Sequence, residues 1–458
     1  MQNTLPHGDF DISDLDGLHL NITVPSGAKG LPVLVFIHGG GFTVGSNAWP
    51  QYDQSRLVKL SIDLGMPFIG VSVNYRIGAP GFLTSKELQA AGCKCNNGIR
   101  DQRTALLWIK QQIGGFGGDP GKVTLMGQSA GSVACMIHLQ SKEALFQQLI
   151  LMSGSTLLLP PLPPPVSEIA YSLSMKALDL EGLTVDERVA KLIHGPKSDL
   201  YEKITPAIPL LPVIDNEVVH PGPSYEELFG GATRVENVLP GTKWCQRILV
   251  GDCEFDASIY RGMLEPHKNE IAKRFHNFAS RTLCGFPSVV EELERVYNIT
   301  TETADDAALD NILEWTTDIG FYLPAITIAH TWPGKSYLYH LNEVNPWEGP
   351  KRGKAAHIMD VILLFQNFQE SLSQDQQAQG KRFAENTICF IAGSDPFPSC
   401  QAESNGAMVY GPPASPAGFI KSSEPSDFGR RAVIHKLSGE VGYDTLQRML
   451  GNILAGQW

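Results

Sequence analysis

Short apolar runs of strand length alternate, over the first third of the chain, with segments whose apolar residues recur at helical spacing. The runs predict strands at 18–23, 31–37, 68–74, from 123 to the turn at 127, and 149–152. The helical spacing predicts helices at 56–64, 101–113 and 132–140, with a glycine-rich loop at 114–121. This repeated order predicts an α/β fold with a mostly parallel central sheet covered by helices on both faces.

The pattern changes at Leu157, where the proline-rich stretch 160–165 is incompatible with a helix interior or a central strand. Helical segments follow, and strand patterns return at 247–251 and 336–340. We therefore predict one domain over 1–458, with a helical cap formed by insertions at 157–245 and 261–335. A Gln-rich segment at 366–379 indicates a solvated helix or loop, and 427–458 has helical spacing.

Candidate chemistry centres on the segment Gly127-Gln128-Ser129-Ala130-Gly131. It stands between a predicted buried strand and a predicted helix, which is the setting of a nucleophile elbow. A sharp turn there would hold Ser129 in a strained conformation with its hydroxyl clear of the backbone. We expect the two glycines to be required because a Cβ at either position would collide with the neighbouring strand or helix.

A serine nucleophile needs backbone donors for the oxyanion that forms during acyl transfer. Gly39-Gly40-Gly41 ends an earlier strand, and glycine allows the chain to present its amides close to a substrate. The N–H groups of Gly40, Gly41 and Ala130 are therefore the candidate donors. The alternative interpretation of the triple glycine is a flexible turn.

The serine also needs a base and an orienting acid. The histidines downstream of Ser129 are His138, His194, His220, His267, His276, His330, His340, His357 and His435. His357 follows the last sheet-like run through a loop and opens an apolar helix pattern at 358–368, so we favour it as the base.

The candidates for the acid are Asp252, Glu254 and Asp256, which all follow the strand at 247–250. Each is equally compatible with a solvated loop carboxylate. Their position in the sequence does not separate them.

Composition narrows the class of partner. The formal net charge is −12 and no dense Lys/Arg run occurs, which disfavours nucleic acid as a partner. The first ten residues lack a basic and then apolar signal, and no apolar stretch approaches the roughly 18 residues of a membrane span. We expect a cytoplasmic protein whose eight cysteines are free thiols.

Several motifs in order resemble the type-B carboxylesterase (carboxylesterase/lipase) family, which includes the cholinesterases. They are Val71-Ser72-Val73-Asn74-Tyr75-Arg76, Gly98-Ile99-Arg100-Asp101-Gln102-Arg103, Gly117-Gly118-Asp119-Pro120 and Gly127-Gln128-Ser129-Ala130-Gly131. The resemblance runs from about Leu18 to Pro398 and is densest before Ser155. It implies the α/β-hydrolase fold, and the sequence around Asp256 and His357 is most similar to fungal members, some of which act in secondary metabolism.

The resemblance also implies roles for individual residues. The serine of the family matches Ser129, its histidine matches His357, and its acid matches Asp256 within 251–258. Its oxyanion glycines match Gly40 and Gly41, with Ala130 as the third donor. The pocket wall is expected to include four apolar residues, each of which would serve equally well as ordinary core: Phe42, Leu83, Leu157 and Phe365.

The chain departs from the family at three places. Most relatives have Glu at the position of Asp256, so the loop is expected closer to His357 or Glu254 is expected to share the role. Gln128 replaces a Glu before the nucleophile and removes a charge. The N-terminal segment of relatives, with its disulfide, precedes the matched region, so we expect that disulfide to be absent.

These residues imply a serine carboxylesterase that hydrolyses an ester or lactone of a small, largely apolar molecule and needs no metal or organic cofactor. The alternatives are the same fold and residues used for acyl transfer, lactonisation or elimination, or a non-catalytic binding protein. Retention of the serine, histidine, acid candidates and triple glycine disfavours the binding protein.

Overall fold

The computed structural model describes residues 13, 16–204, 208–401, 405–412, 417–421 and 429–458. The first twelve residues, on which the signal-peptide expectation rests, lie outside this set, as does the start of the helix predicted at 427–458. The described residues form one nine-stranded sheet in the order β1-β3-β2-β4-β5-β6-β7-β8-β9. The strands are β1 (Leu20–Thr23), β2 (Leu31–Ile37), β3 (Ile69–Val73), β4 (Gly118–Gln128), β5 (Gln148–Met152), β6 (Arg247–Cys253), β7 (Lys335–Leu341), β8 (Gly406–Tyr410) and β9 (Gly418–Lys421).

Parallel pairing joins the seven strands from β3 to β8 in this order, and the two edge strands β1 and β9 pair antiparallel. The carboxyl ends of the parallel strands therefore meet at one edge of the sheet, where ligands bind in open α/β folds. The predicted α/β class and mostly parallel sheet are confirmed.

Helices cover both faces of this sheet. Those before β5 are α1 (Ser55–Asp63), α2 (Gly78–Phe82), α3 (Lys86–Ala90), α4 (Asn97–Gln112) and α5 (Ala130–His138). Between β5 and β6 are α6 (Pro164–Ala177), α7 (Val185–His194), α8 (Lys197–Glu202), α9 (Tyr225–Phe229) and α10 (Ala232–Val238). Between β6 and β7 are α11 (Arg261–Leu264), α12 (Ile271–Thr282), α13 (Pro287–Tyr297), α14 (Asp305–Thr317) and α15 (Leu323–Thr331), and after β7 come α16 (Met359–Leu364), α17 (Gln374–Ile391), α18 (Arg430–Val441) and α19 (Tyr443–Leu454).

Tighter or wider helical turns complete the chain. The 3₁₀ segments are Pro50–Tyr52, Ile113–Phe116, Pro240–Lys243, Asp256–Tyr260, Glu265–His267 and Gln369–Ser371, and a π-helix spans Asp318–Tyr322 between α14 and α15. Within the described ranges, none of the helices has the length and apolarity that crossing a membrane requires.

The sheet separates two apolar cores. Along β2, Val33, Val35 and Ile37 face a core shared with α4, α5 and the cap helices. Leu34 and Phe36 alternate to the other face and join α1, α16 and α17. Burial of both faces explains why the parallel strands read as continuous apolar runs rather than as an alternation of apolar and polar residues.

Most predicted elements near the amino terminus lie within a few residues of the observed ones, and the strand at 31–37 has the predicted bounds. The prediction of a glycine-rich loop at 114–121 was wrong in part, because β4 begins at Gly118, where the chain already pairs with Leu31 of β2. Strands β8 and β9 were missed. The segment 366–379 is only partly solvated, since Gln376 and Gln379 of α17 are buried.

Candidate active site

Ser129 occupies a strained turn at the carboxyl end of β4. Its backbone angles are φ 57° and ψ −127°, directly before the first residue of α5. A conformation of this kind costs about 1–3 kcal/mol for a residue other than glycine, so the surroundings must enforce it. The Ser129 N–H donates to the Met152 carbonyl at 2.9 Å, and its own carbonyl accepts from the Val133 N–H at 3.0 Å. Ser129 remains half-buried.

The two glycines of the turn are needed for close packing. A Cβ on Gly131 would lie 2.1 Å from the Ile37 carbonyl oxygen, and one on Gly127 would lie 2.2 Å from the Gly131 carbonyl oxygen. Real Cβ atoms do not approach backbone atoms this closely, so any side chain would force β2, β4 and α5 apart. The geometry of the turn therefore requires a residue without a Cβ at both positions.

The loop after β2 lies beside Ser129. A Cβ on Gly39 would come within 2.8 Å of the Ser129 Cβ, and one on Gly40 would come within 2.0 Å of the Val44 carbonyl oxygen. Gly40 and Gly41 both have positive φ, 109° and 62°. In the described part of the chain their N–H groups donate no hydrogen bond. The N–H of Ala130, at the first position of α5, lacks an intrahelical acceptor.

His38 contacts and supports the glycine loop, a role that sequence reasoning missed. Its Nδ1 bonds the Gly39 carbonyl at 2.9 Å, its ring stacks on Tyr75 with 4.4 Å between centroids, and the Tyr75 hydroxyl donates to its carbonyl. Burial lowers the pKa of His38 to about 4, so it is neutral at physiological pH. The histidine directly before the triple glycine was the available signal.

His357 and Asp256 form a buried hydrogen-bonded pair. His357 Nδ1 lies 2.7 Å from Asp256 Oδ1, and the other carboxylate oxygen accepts from the Cys253 N–H at 2.8 Å. The Asp256 side chain is fully buried. Burial raises the pKa of this carboxyl, and its hydrogen bond with His357 acts in the opposite direction.

The other two candidate acids have different partners. Glu254 extends to Arg430 at 3.2 Å with a partly exposed carboxylate, while Asp252 pairs with His340 Nδ1 at 2.5 Å. Among the described residues, Asp256 is therefore the candidate carboxylate that contacts His357. Two other candidate bases also have different hydrogen-bond partners: His138 bonds Gln102, and His340 bonds Asp252.

Gln128 contacts the remaining nitrogen of His357. Its Nε2 lies 3.1 Å from His357 Nε2, and the Gln128 side chain is buried. With Nδ1–H donating to Asp256, His357 Nε2 is the acceptor of this bond. The Ser129 hydroxyl, one residue further along, makes no hydrogen bond within the described residues.

A second buried carboxylate, Asp360, lies beside this pair and was also missed. It accepts from the hydroxyls of Ser153 and Tyr339 and from the Val361 N–H at 2.8–3.2 Å. Burial, followed by the charge of Asp256, raises the pKa of Asp360 to about 6. The position of Asp360, three residues after His357, was the available sequence signal, but it does not indicate the direction of the side chain.

The structure separates the residues predicted for the pocket wall. Phe42 is fully buried against Phe82, Leu157 is buried, and Leu83 is partly exposed, all in the core on the α5 side. Phe365 is fully buried in the other core, against Phe36. Phe321 of the π-helix, not predicted from sequence, packs edge-on to His357 with 5.6 Å between centroids. The described residues contain no His/Cys/Asp/Glu cluster suited to a metal ion.

Ser129, Asp256 and His357 follow β4, β6 and β7, and the glycine loop follows β2, so every candidate lies at the carboxyl edge of the sheet. A serine elbow on a mostly parallel sheet, with an acid and a histidine later in the chain, defines the α/β-hydrolase class. The sequence model of the carboxylesterase family matches residues 2–396. The chain therefore belongs to the carboxylesterase family.

Individual relatives match in shorter stretches. Lipase 4 of Diutina rugosa is 39% identical over 34% of this chain, and a secreted triacylglycerol lipase of Gibberella zeae is 34% identical over 42% of it. These matches span 28% and 34% of the two lipases. A carboxylesterase structure from Geobacillus stearothermophilus aligns with a TM-score of 0.70 at 24% identity, covering 91% of this chain and 85% of that one. The last comparison shows that the two proteins share a fold.

Proposed function

We propose that the protein hydrolyses carboxylic esters through an acyl-enzyme formed on Ser129. The observation that carries the proposal is the buried His357–Asp256 hydrogen bond, which Gln128 links to the strained, half-buried turn at Ser129. Family membership supports the reaction class. The names of the two fungal relatives, both lipases, support a carboxylic ester as the substrate.

In the proposed mechanism, Nδ1–H of His357 donates to Asp256, so Nε2 is the nitrogen that accepts the Ser129 proton once it gives up its bond from Gln128. Ser129 Oγ attacks the ester carbonyl, and the C–O bond to the alcohol breaks as His357 returns the proton to the leaving oxygen. Water then attacks the acyl-enzyme with the same base and releases the acid. The free N–H groups of Gly40, Gly41 and Ala130 would hold the oxyanion in both steps.

Replacing the proposed acid separates Asp256 from Glu254. We expect Asp256→Asn to lower kcat for p-nitrophenyl butyrate by about 10⁴-fold, because an amide no longer fixes the tautomer of His357 or stabilises its charge. Glu254→Gln should lower kcat by less than about fivefold, since its carboxylate faces Arg430 rather than His357 and Arg430 keeps its bond to the backbone carbonyl of this residue. Steady-state kinetics of both variants and the parent protein measure this difference.

The reverse ranking of the two variants would assign the acid to Glu254. A parent protein that releases no p-nitrophenol above background would contradict ester hydrolysis itself. Thermal unfolding of each variant shows whether a loss of rate reflects a loss of fold.

Gln128 gives the site a distinct electrostatic character. A glutamine amide can donate to neutral His357, and after rotation of the amide its oxygen can accept from the protonated ring. A glutamate here would add a third carboxylate beside Asp256 and Asp360, both buried and both with raised pKa. Gln128 therefore serves both protonation states of the base without adding a buried charge.

We expect Gln128→Glu to move the acid limb of the kcat/KM–pH profile to higher pH, by about one unit or more. An ionised carboxylate within about 4–6 Å of the ring stabilises its protonated form, so the ring loses its proton at a higher pH. The neutral replacement Gln128→Met is the control and should leave the limb near its original position. An unchanged or lower acid limb in Gln128→Glu would show that this side chain does not act on His357.

The proposed substrate is a small ester or lactone whose surroundings in the complex are largely apolar. The aromatic edge of Phe321 against His357 supports this, as does the apolar character of the adjacent core. We also propose a cytoplasmic location. The free state of all eight cysteines is consistent with a reducing compartment.

A further inference from the structure

We propose that Arg430 and Arg431, at the start of α18, are positioning residues that hold the loop bearing Asp256 against His357. The inference rests on the proposed function of that pair. Both arginines lie beyond residues 2–396, the part of the chain that the family model matches. Their role therefore rests on the contacts of this chain and not on the family match.

The two guanidinium groups bind three consecutive residues, the last two of β6 and the first residue of the loop that follows it. Arg431 Nη2 donates to the Asp252 carboxylate at 2.6 Å and to the Cys253 carbonyl at 3.3 Å. Arg430 donates to the Glu254 carbonyl at 3.1 Å and to its carboxylate at 3.2 Å. The next polar contact along the loop is the Cys253 N–H to Asp256 Oδ2, so Cys253 joins the arginine contacts to the Asp256 carboxylate.

The same arginines bind the other wall of the histidine site. Arg430 Nε and Arg431 Nε donate to the two oxygens of Asp318, at 2.8 Å and 3.1 Å. Asp318 is fully buried and begins the π-helix that carries Phe321 onto the edge of the His357 ring. The two arginines and their carboxylate partners, Asp252, Glu254 and Asp318, form a cluster. This cluster connects the two elements that contact His357, one through Asp256 and the other through Phe321.

Charge explains why the cluster holds its geometry. Two arginines in the first turn of a helix oppose its macrodipole, so they require anionic partners. Burial would lower the pKa of Arg431, but Asp252 and Asp318 outweigh it and the pKa is raised. Burial would likewise raise the pKa of Asp252, but Arg431 and His340 lower it. Each charge is matched in the interior, where an unmatched one would be costly.

The forked guanidinium matters as well as the charge. Arg431 contacts Asp252, Cys253 and Asp318 at once through two of its nitrogens, which an ammonium group on a flexible stem cannot reproduce. A displacement of about 1 Å at a catalytic group can cost about 10²-fold in rate. Loss of the forked guanidinium should therefore displace Asp256 and so lower the reaction rate.

The test compares Arg431→Lys in the parent protein and in the Asp256→Asn background. In the parent we expect kcat for p-nitrophenyl butyrate to fall about 10- to 100-fold with KM changed by less than about twofold. In the Asp256→Asn background the same substitution should change kcat by less than about twofold, because residues that act as a unit are not additive. Arg295→Lys, at an exposed pair with Glu292 on α13, is the matched control and should leave kcat unchanged.

If Arg431→Lys does not fold, Arg430→Lys replaces it, because that side chain is partly exposed and the same lack of additivity is expected. An unchanged kcat in the folded variant, or an equal loss in both backgrounds, would overturn the positioning role. A loss in the parent alone supports it. If Asp256→Asn itself does not lower kcat, the proposed triad fails, whatever the arginine variants do.

Discussion

Ser129→Ala is expected to lower kcat for p-nitrophenyl butyrate by about 10⁶-fold, to the level that binding and the oxyanion donors alone sustain. The physical reason is that the substitution removes the one hydroxyl at the strained turn while leaving its backbone in place. KM should change little, because the substrate contacts outside the bond-forming atom remain. Stopped-time assays at high enzyme concentration can measure a residual rate of this size.

Ser174→Ala is the matched control for the serine variant. It also removes a buried hydroxyl, one that donates to the Ala170 carbonyl within α6 of the predicted cap. We expect its kcat to equal that of the parent. A Ser129→Ala protein that keeps more than about 1% of the parent kcat would place the nucleophile elsewhere.

His357→Ala is expected to cause a loss of kcat of similar size, about 10⁶-fold, because an un-ionised serine hydroxyl is a poor nucleophile without an adjacent base. Asp256 and Gln128 would both lose their partner, so the effect should appear in kcat rather than in KM alone. Kinetics over a range of pH are the measurement, and the residual rate of the variant should rise with hydroxide concentration.

The control for the histidine variant is His276→Ala, which removes a partly exposed ring paired with Glu294 in the region predicted as cap. Its kcat should match that of the parent. If His357→Ala retained the acid limb of the parent pH profile, another group would be the base. If it lost only stability, His357 would be a structural residue.

Sequence patterns predicted the parts of the molecule that depend on local chemistry and burial. The run 31–37 has the composition of a strand buried on both faces, and it forms β2 with those bounds. The elbow was recognised because its glycines answer a local steric demand, and a Cβ on Gly131 would indeed lie 2.1 Å from the neighbouring strand. The motifs and their placement after strands predicted Ser129, the glycine loop and His357, and family resemblance matched the same residues, which the fold brings to the same edge of the sheet.

The features that sequence did not reveal depend on contacts between distant segments. Strands β8 and β9 are short and lie on one side of the sheet near its edge, so their apolar signal is weak. Position in the sequence left the choice among Asp252, Glu254 and Asp256 open, because all three lie at or just beyond the end of β6, and family resemblance alone favoured Asp256. The choice depends on where Arg430, Arg431 and His340 place the first two carboxylates.

Side-chain direction was a further obstacle. Gln128 precedes the serine, and only the folded chain shows that its amide meets His357 Nε2. The fully buried state of Phe365 in the opposite core likewise follows from the packing of the residue after α16 against Phe36 of β2. Neither spacing nor composition carries that information.

The central claim is that Ser129 is the nucleophile, and covalent capture tests it most directly. The parent protein, treated with diisopropyl fluorophosphate and digested, should carry one phosphoryl adduct on the peptide that contains Ser129, with loss of activity in proportion to the adduct formed. Ser129→Ala should remain unlabelled under the same conditions. An adduct on a different residue, or inactivation of the parent without modification of Ser129, would contradict the account.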